Sequence, residues 1–69
     1  MSQGTSDRIL LVALESFGNR GYAATSLDAI ATELGISKQS VLYWFPSKEA
    51  LLEAVIAQAG EELVVALAA

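Results

Sequence analysis

The sequence predicts an all-α domain, made of a three-helix bundle with a helix-turn-helix unit and the start of a long fourth helix. Three observations predict this class. First, four apolar residues have the i, i+3, i+4, i+7 spacing of one helix face: Leu27, Ile30, Ala31 and Leu34. Second, Gly35 follows at once, and Ser37 can start another short helix. Third, apolar residues recur at helical spacing from Leu52 to Leu67.

Length and composition exclude several classes of protein. Sixty-nine residues form one small domain, near the size at which a single core is only marginally sufficient. The absence of Cys and His excludes a disulfide framework and a thiolate metal site, and removes the commonest metal ligand and general base. There is no secretory signal and no apolar run of about 18 residues. We therefore expect a cytoplasmic protein that does not enter a membrane.

The charge is unevenly distributed. The net charge of −4 opposes nucleic-acid binding, because phosphate binding is driven by Lys and Arg. Residues 34–48, however, contain Lys38 and Lys48 and no acidic residue, whereas residues 1–33 and 49–69 are both net negative. The one basic segment contains the second helix of the predicted helix-turn-helix. Two lysines are few, so we expect one isolated copy to bind DNA weakly.

The first helix should follow a flexible lead of residues 1–5 and run from about Ser6 to Arg20. Thr5, Ser6 and Asp7 are suited to cap its start. Gly21 is the expected stop. Its apolar residues at one-face spacing are Leu10, Ala13, Leu14 and Phe17.

A short connector, residues 22–24, should precede the second helix, with Tyr22 packed against the bundle. Thr25 and Asp28 have the spacing of a reciprocal capping box. The Ser26 hydroxyl has two interpretations. It can simply cap the helix, or it can donate to a phosphate, which a helix N-terminus attracts.

The turn and third helix form the centre of the predicted unit. Gly35 can adopt the left-handed conformation that ends a helix, and Ile36 can fold back onto the helix. Ser37 should cap a third helix that ends near Trp44 and is too short to be stable alone. Its expected buried residues are Val41, Leu42 and Phe45, which leave the opposite side to Lys38, Gln39, Ser40, Tyr43 and Trp44.

That opposite side has the chemistry of a major-groove reader. Gln39 can pair with an adenine edge, and Ser40 can donate or accept. Lys38 can reach guanine or phosphate, and a Tyr43 hydroxyl can reach phosphate. The alternatives are plain solvent exposure or, for Tyr43 and Trp44, packing in the core.

A fourth helix should begin where Pro46 disfavours continuation of the third. Ser47 is the expected cap, and Gly60 is a possible weak point or break. Its apolar stripe is longer than three small helices can cover, so we expect Val64–Ala69 to be exposed, disordered or bound to another copy. The stripe consists of Leu52, Val55, Ile56, Ala59, Leu63, Ala66 and Leu67.

Residues 6 to 57 resemble the N-terminal DNA-binding domain of the TetR family of transcriptional regulators. The resemblance rests on Ala31, Gly35 and Val41, on the segment GYAATSL at residues 21–27, and on VLYWFPSKEALL at residues 41–52. It implies a homeodomain-like bundle that binds an operator in double-stranded DNA. It also implies phosphate contacts from Ser26 and Lys48. The tyrosine lies one position later than in the commonest family pattern, which leaves open which aromatic residue touches phosphate.

The resemblance implies a ligand-responsive repressor with a helix-turn-helix head at residues 6–46 and a linking helix at residues 47–69. A homodimer would form through a C-terminal domain outside these residues, and a small-molecule inducer would bind only there. The DNA-binding residues would be Ser26, Ser37, Lys38, Gln39, Ser40, Tyr43, Trp44 and Lys48. No cofactor is implied.

The alternative to DNA binding is a helical protein-interaction module with a degenerate helix-turn-helix, whose acidic, apolar fourth helix docks onto a partner. An enzyme is not expected, because the carboxylates are scattered and no nucleophile has an activating base.

Overall fold

The computed structural model describes the backbone of residues 4–68 and the side chains of residues 4–60. It contains four helices: α1 (Thr5–Arg20), α2 (Leu27–Leu34), α3 (Lys38–Trp44) and α4 (Lys48–Ala68). The all-α class is confirmed, because every regular element of the described residues is a helix.

The helices enclose one apolar core. Helix α1 packs against α2, α3 and α4, and α2 packs against α3. The fully buried apolar residues come from all four helices: Ile9, Ala13, Ile30, Ala31, Val41, Leu51 and Val55. The first two turns of α4 therefore belong to the same core as α1, α2 and α3.

Helix α1 begins one residue before its predicted start. Its N-cap is Gly4, and no side chain caps it. The predicted capping by Thr5 and Ser6 is therefore wrong, since both lie inside the helix, while Asp7 does lie in the first turn, where a negative charge is favourable. Residues 1–3 of the predicted lead lie outside the described residues.

The buried stripe of α1 differs from the predicted one. It runs through Ile9 and Ala13, which are completely buried, whereas Leu14 is 47% exposed. Leu10 and Phe17 are partly buried against the core. The spacing alone could not distinguish these two overlapping faces, because neighbouring residues differ by only about 100° around a helix.

The connector between α1 and α2 is fastened by Thr25. Its hydroxyl donates to the carbonyl oxygens of Gly21 at 2.9 Å and Ser16 at 3.2 Å. The capping box predicted for Thr25 is therefore wrong, because its side chain is buried against the end of α1. Ser26 caps α2 instead, and its hydroxyl accepts from the Ala29 amide at 3.0 Å.

The turn between α2 and α3 follows the prediction. Gly35 has a φ of +71°, in the left-handed region. The Gly35 amide donates to Thr32, and the Ile36 amide donates to the Ala31 carbonyl oxygen at 3.0 Å. This pair of bonds satisfies carbonyls that the end of α2 leaves free.

Val41 is the main residue that anchors helix α3 in the core. Val41 is completely buried, whereas Leu42 and Phe45 are only half-buried. The Ser37 cap is confirmed, with its hydroxyl accepting from the Ser40 amide at 3.1 Å.

Helix α4 starts at the predicted cap, where the Ser47 hydroxyl accepts from the Ala50 amide at 3.0 Å. The helix continues through Gly60, so the possible break there is not found. The prediction for the side chains of Val64–Ala69 lies outside the described residues. Over the part searched, no helix is both long and apolar enough to span a bilayer.

Candidate nucleic-acid interface

The outer side of α3 presents its polar and aromatic side chains to solvent. Lys38 and Gln39 are exposed, Ser40 is half-buried, and Tyr43 is 78% exposed. On the opposite side of the same helix, Val41 is completely buried. The sequence predicted this division, and the described residues leave the outer side uncovered.

Two aromatic rings lie at the C-terminal end of the outer side of α3. Tyr43 and Trp44 meet edge to face, with ring centroids 5.1 Å apart and an interplanar angle of 88°. Trp44 is 46% exposed, so it is not a core residue. With Thr5 and Ile36 the two rings line an open concavity that also includes Gln39. The N-terminus of α1 therefore lies beside α3.

Two serines at the start of α3 form one hydrogen-bonded pair. Their hydroxyl oxygens are 3.0 Å apart, and Ser37 also accepts from the Ser40 amide. Both hydroxyls are thus fixed in direction at the helix N-terminus. Such a terminus carries a partial positive charge, which suits a phosphate oxygen.

The turn brings the first turns of α2 and α3 together. The Lys38 ammonium lies 3.4 Å from a carboxylate oxygen of Asp28, and their side chains are 50% and 71% exposed. Ser26, the cap of α2, lies two residues before Asp28 and is exposed. An acidic group therefore lies among the predicted DNA contacts, and its pairing with Lys38 was not predicted from the sequence.

Lys48 is directed inward. Its ammonium donates to the carbonyl oxygen of Tyr22 at 2.8 Å and to that of Thr25 at 3.0 Å. It also lies 4.2 Å from the centroid of the Tyr22 ring. The phosphate contact predicted for Lys48 stays a prediction, and these two bonds leave one of the three N–H donors of the ammonium for it.

Tyr22 packs against the bundle, as predicted. Its ring centroid is 5.3 Å from that of Phe17. Its hydroxyl is buried, and the described residues provide no hydrogen-bond partner for it. Burial, together with the nearby Glu49 carboxylate, raises the pKa of Tyr22 above its ordinary value.

The arrangement suits hydrogen bonding to a polyanion. Within the residues searched, no three acidic side chains are grouped as metal ligands would be. What α2 and α3 do provide is a set of donors and acceptors on one outer surface, of the kinds that contact base edges and phosphates.

Comparisons with known proteins identify the family of the chain. The family model described as "Bacterial regulatory proteins, tetR family" matches residues 9–55. The HTH-type transcriptional regulator RutR of Escherichia coli (strain K12) is 50% identical over 50 residues, which cover 72% of this chain and 24% of RutR. The HTH-type transcriptional regulator UidR of the same organism is 40% identical over 57 residues, covering 83% of this chain and 29% of UidR.

A third relative comes from a different bacterial species. The uncharacterized HTH-type transcriptional regulator YerO of Bacillus subtilis (strain 168) is 46% identical over 46 residues, covering 67% of this chain and 16% of YerO. The chain thus spans less than a third of the length of these relatives. No solved structure matches it.

Proposed function

Since this chain belongs to the tetR family of bacterial regulatory proteins and contains its helix-turn-helix DNA-binding domain, we propose that it recognises a specific operator for a ligand-responsive repressor. The observation that carries the proposal is the division of α3. Val41 anchors the helix in the core, while Gln39 and Tyr43 on its other side have no covering side chain among the described residues.

Each exposed residue of the interface has a role that fits its chemistry. Gln39 reads a base edge, with adenine as its preferred partner, and Lys38 reaches guanine or phosphate. Ser26 and Ser37 lie at helix N-termini, where their hydroxyls and the adjacent amides face phosphate. Ser40, Tyr43 and Trp44 complete the surface, with the Tyr43 hydroxyl as the main aromatic donor.

The regulator as a whole would act as a homodimer in the cytoplasm. Two heads would place their α3 helices in successive major-groove faces, about 34–36 Å apart, on a near-palindromic operator. A small molecule bound elsewhere in the longer protein would shift the population between dimers with suitable and unsuitable spacing. We propose no catalytic activity and no cofactor, because the relatives are named as transcriptional regulators.

The test is a selection of duplexes from a randomised library by the 69-residue chain, followed by binding assays on the enriched sequence. Gln39→Ala should lower affinity for that sequence by about 1–3 kcal/mol and relax the base preference at one position. Gln58→Ala is the matched control, because it makes the same change on α4, beside Leu14 and Val55. Equal binding of the enriched sequence by both variants contradicts the proposal.

A protein-interaction module is the second candidate, and the outer surface of α1 and α4 favours it. Leu11 is 42% exposed and Leu14 is 47% exposed, and both line one groove with Val55 of α4. A contiguous exposed apolar patch is typical of a surface that meets another protein. The two candidates differ in salt dependence, since the logarithm of the affinity for DNA falls linearly with the logarithm of salt concentration. If the chain folds but shows no salt-dependent binding to duplex DNA, the interaction module is supported.

A further inference from the structure

Helices α2 and α3 each present one charged side chain at the point where their first turns meet. Asp28 lies in the first turn of α2, Lys38 is the first residue of α3, and the Lys38 ammonium lies 3.4 Å from a carboxylate oxygen of Asp28. We propose that these two side chains act as one unit that reads a single G·C base pair, with Lys38 directed to guanine and Asp28 to cytosine. This inference rests on the proposed function and adds Asp28 to its base-reading residues.

The two side chains offer the chemical groups that a G·C base pair requires. In the major groove, guanine presents the acceptors O6 and N7, and cytosine presents the N4 amino donor. The Lys38 ammonium has only donors, and the Asp28 carboxylate has only acceptors. Guanine O6 and cytosine N4 are joined by a hydrogen bond of the base pair, so they lie about 3 Å apart. That separation is close to the 3.4 Å between the two side-chain groups.

Backbone geometry brings the two charged groups together. The Ser26 and Ser37 hydroxyls cap α2 and α3, and they accept from backbone amides at 3.0 and 3.1 Å. Gly35, with a φ of +71°, sets the path of the chain between the two helices. An exposed ion pair is weak by itself and would not determine this geometry. Asp28 and Lys38 therefore project from fixed helix starts, and their spacing persists when DNA displaces the water around them.

Both side chains are accessible from the side of the molecule that carries the other predicted contacts. The Lys38 side chain is 50% exposed and that of Asp28 is 71% exposed. Lys38 precedes Gln39, which is also exposed and reads a base edge in the proposed function. In helix-turn-helix proteins, the N-terminal residues of the second helix contact base edges. The base pair that Asp28 and Lys38 read should therefore lie close to the one that Gln39 reads.

A carboxylate in a DNA interface also has an effect that is independent of sequence, because it repels phosphate. On the preferred base pair this repulsion is offset by the hydrogen bond from cytosine N4 to Asp28, and on other base pairs it is not. A carboxylate that only repels phosphate would change affinity for all sequences by the same factor. A carboxylate that reads a base changes the order of the sequences, and this difference can be measured.

The first test ranks duplexes by affinity at low salt, on an array that contains every eight-base-pair sequence. The 69-residue chain should prefer G·C at one position and lose at least about fivefold when that pair is inverted to C·G, because inversion places a donor against the ammonium and an acceptor against the carboxylate. Lys38→Met and Asp28→Asn should both relax the preference at this position. Asp28→Asn should also raise affinity least on the preferred sequence.

Two variants and one modified base serve as controls. Glu33→Gln removes an equal charge from the exposed surface of α2 and should leave the ranking unchanged. Gln39→Ala should relax a different position. Inosine in place of the guanine keeps the major-groove groups and removes only the N2 amino group of the minor groove. The inosine duplex should therefore bind within about twofold of the G·C duplex, and a loss as large as that caused by inversion overturns the inference.

The remaining outcomes separate the inference from the proposed function. If Asp28→Asn raises affinity for all sequences by one factor and keeps the G·C preference, Asp28 only repels phosphate and the inference is wrong. The inference is also wrong if Asp28→Asn and Lys38→Met relax different positions. If Gln39→Ala alone alters the ranking, the proposed function stands without the inference. If the unmodified chain binds every sequence equally, the proposed function fails and the inference fails with it.

Discussion

The α2–α3 unit buries its central apolar side chains more completely than the α1–α4 pair does. In the α2–α3 unit the central apolar residues, Ile30, Ala31 and Val41, are all buried, and what remains outside is largely polar or aromatic. In the α1–α4 pair, Leu14 is 47% exposed and Ile56 is 60% exposed, and Leu14 lines a groove between the two helices. Only the first surface is already suited to a polar partner such as DNA.

The difference follows from the kind of interaction that fixes the geometry of each pair of helices. Short-range hydrogen bonds fix the start of α2 and the junction between α2 and α3: the Ser26 and Ser37 caps and the Gly35 turn. The packing of α1 on α4 depends on which of two overlapping apolar faces meets the other helix. Local chemistry therefore determines the geometry of the DNA-binding unit, whereas the burial of α1 and α4 is a property of their packing.

The largest expected effect is the loss of stability when a buried side chain of the α2–α3 unit is shortened. Ile30→Ala should reduce the free energy of unfolding by about 2–5 kcal/mol, because it removes buried methyl groups and leaves a cavity. In so small a domain this loss amounts to much of the total stability. Thermal or denaturant unfolding followed by circular dichroism measures the change.

The matched variant for Ile30→Ala is Leu14→Ala, since Leu14 is about half exposed. We expect a loss of less than about 1 kcal/mol there, because less apolar area returns to water. If Leu14→Ala is as destabilising as Ile30→Ala, the exposed groove is in fact filled in solution, and the contrast between the two regions is lost.

The second effect tests the turn that sets the position of α3. Gly35→Ala should destabilise the domain by about 1–2 kcal/mol, because a side chain is strained at a φ of +71°. Gly18→Ala introduces the same methyl group inside α1, where no atom lies within 4 Å of it apart from its chain neighbours and the adjoining backbone of the helix. That variant should be stabilised by about 0.5–1 kcal/mol, since Ala is the better helix former. Effects of the same sign would show that backbone conformation does not decide the result.

The sequence predicted the local features of the α2–α3 unit well. Gly35, Ser37 and Ser47 each end or begin a helix as expected, because capping depends on residues within four positions of one another. The fold class followed from these signals and from apolar spacing. The exposed side of α3 followed as well, since Val41 fixes which side is buried.

Contacts between distant residues were not predictable in the same way. The pattern gave Thr25 a capping role, but its hydroxyl binds carbonyl oxygens of the preceding helix, from Ser16 nine positions back and from Gly21. The contacts of Lys48 span 26 and 23 positions, so no local signal could indicate them. A positive charge in the first turn of α4 was the one available sign, because it is unfavourable for the helix itself.

The third effect is on DNA affinity and concerns the acidic residue within the interface. Asp28→Asn should raise affinity for any duplex by up to about fivefold, because it frees Lys38 and removes a charge that repels phosphate. Fluorescence anisotropy with a labelled duplex at fixed salt measures this change. Because the effect is electrostatic, it should shrink as salt is added.

Glu33→Gln provides the control for Asp28→Asn. It removes the same charge from the exposed surface of α2, five positions further on. A general effect of net charge would raise affinity equally in both variants. In the Lys38→Met background, the advantage of Asp28→Asn over Glu33→Gln should become smaller, because the pair no longer exists.

The smallest effect is on the pH dependence of stability and concerns the turn that Lys48 holds. The raised pKa of Tyr22 means that the folded protein keeps the phenol proton at a pH where the unfolded chain, with a tyrosine pKa of about 10, has lost it. The stability linked to this proton is fully present below pH 10 and is lost as the pH rises through the folded-state pKa of Tyr22. Tyr22→Phe should therefore unfold at a higher temperature than the unmodified chain, by a margin that widens above pH 10. A margin that is constant from pH 7 to pH 11 would mean that the Tyr22 hydroxyl is solvated, and that the turn is more open than the contacts of Lys48 require.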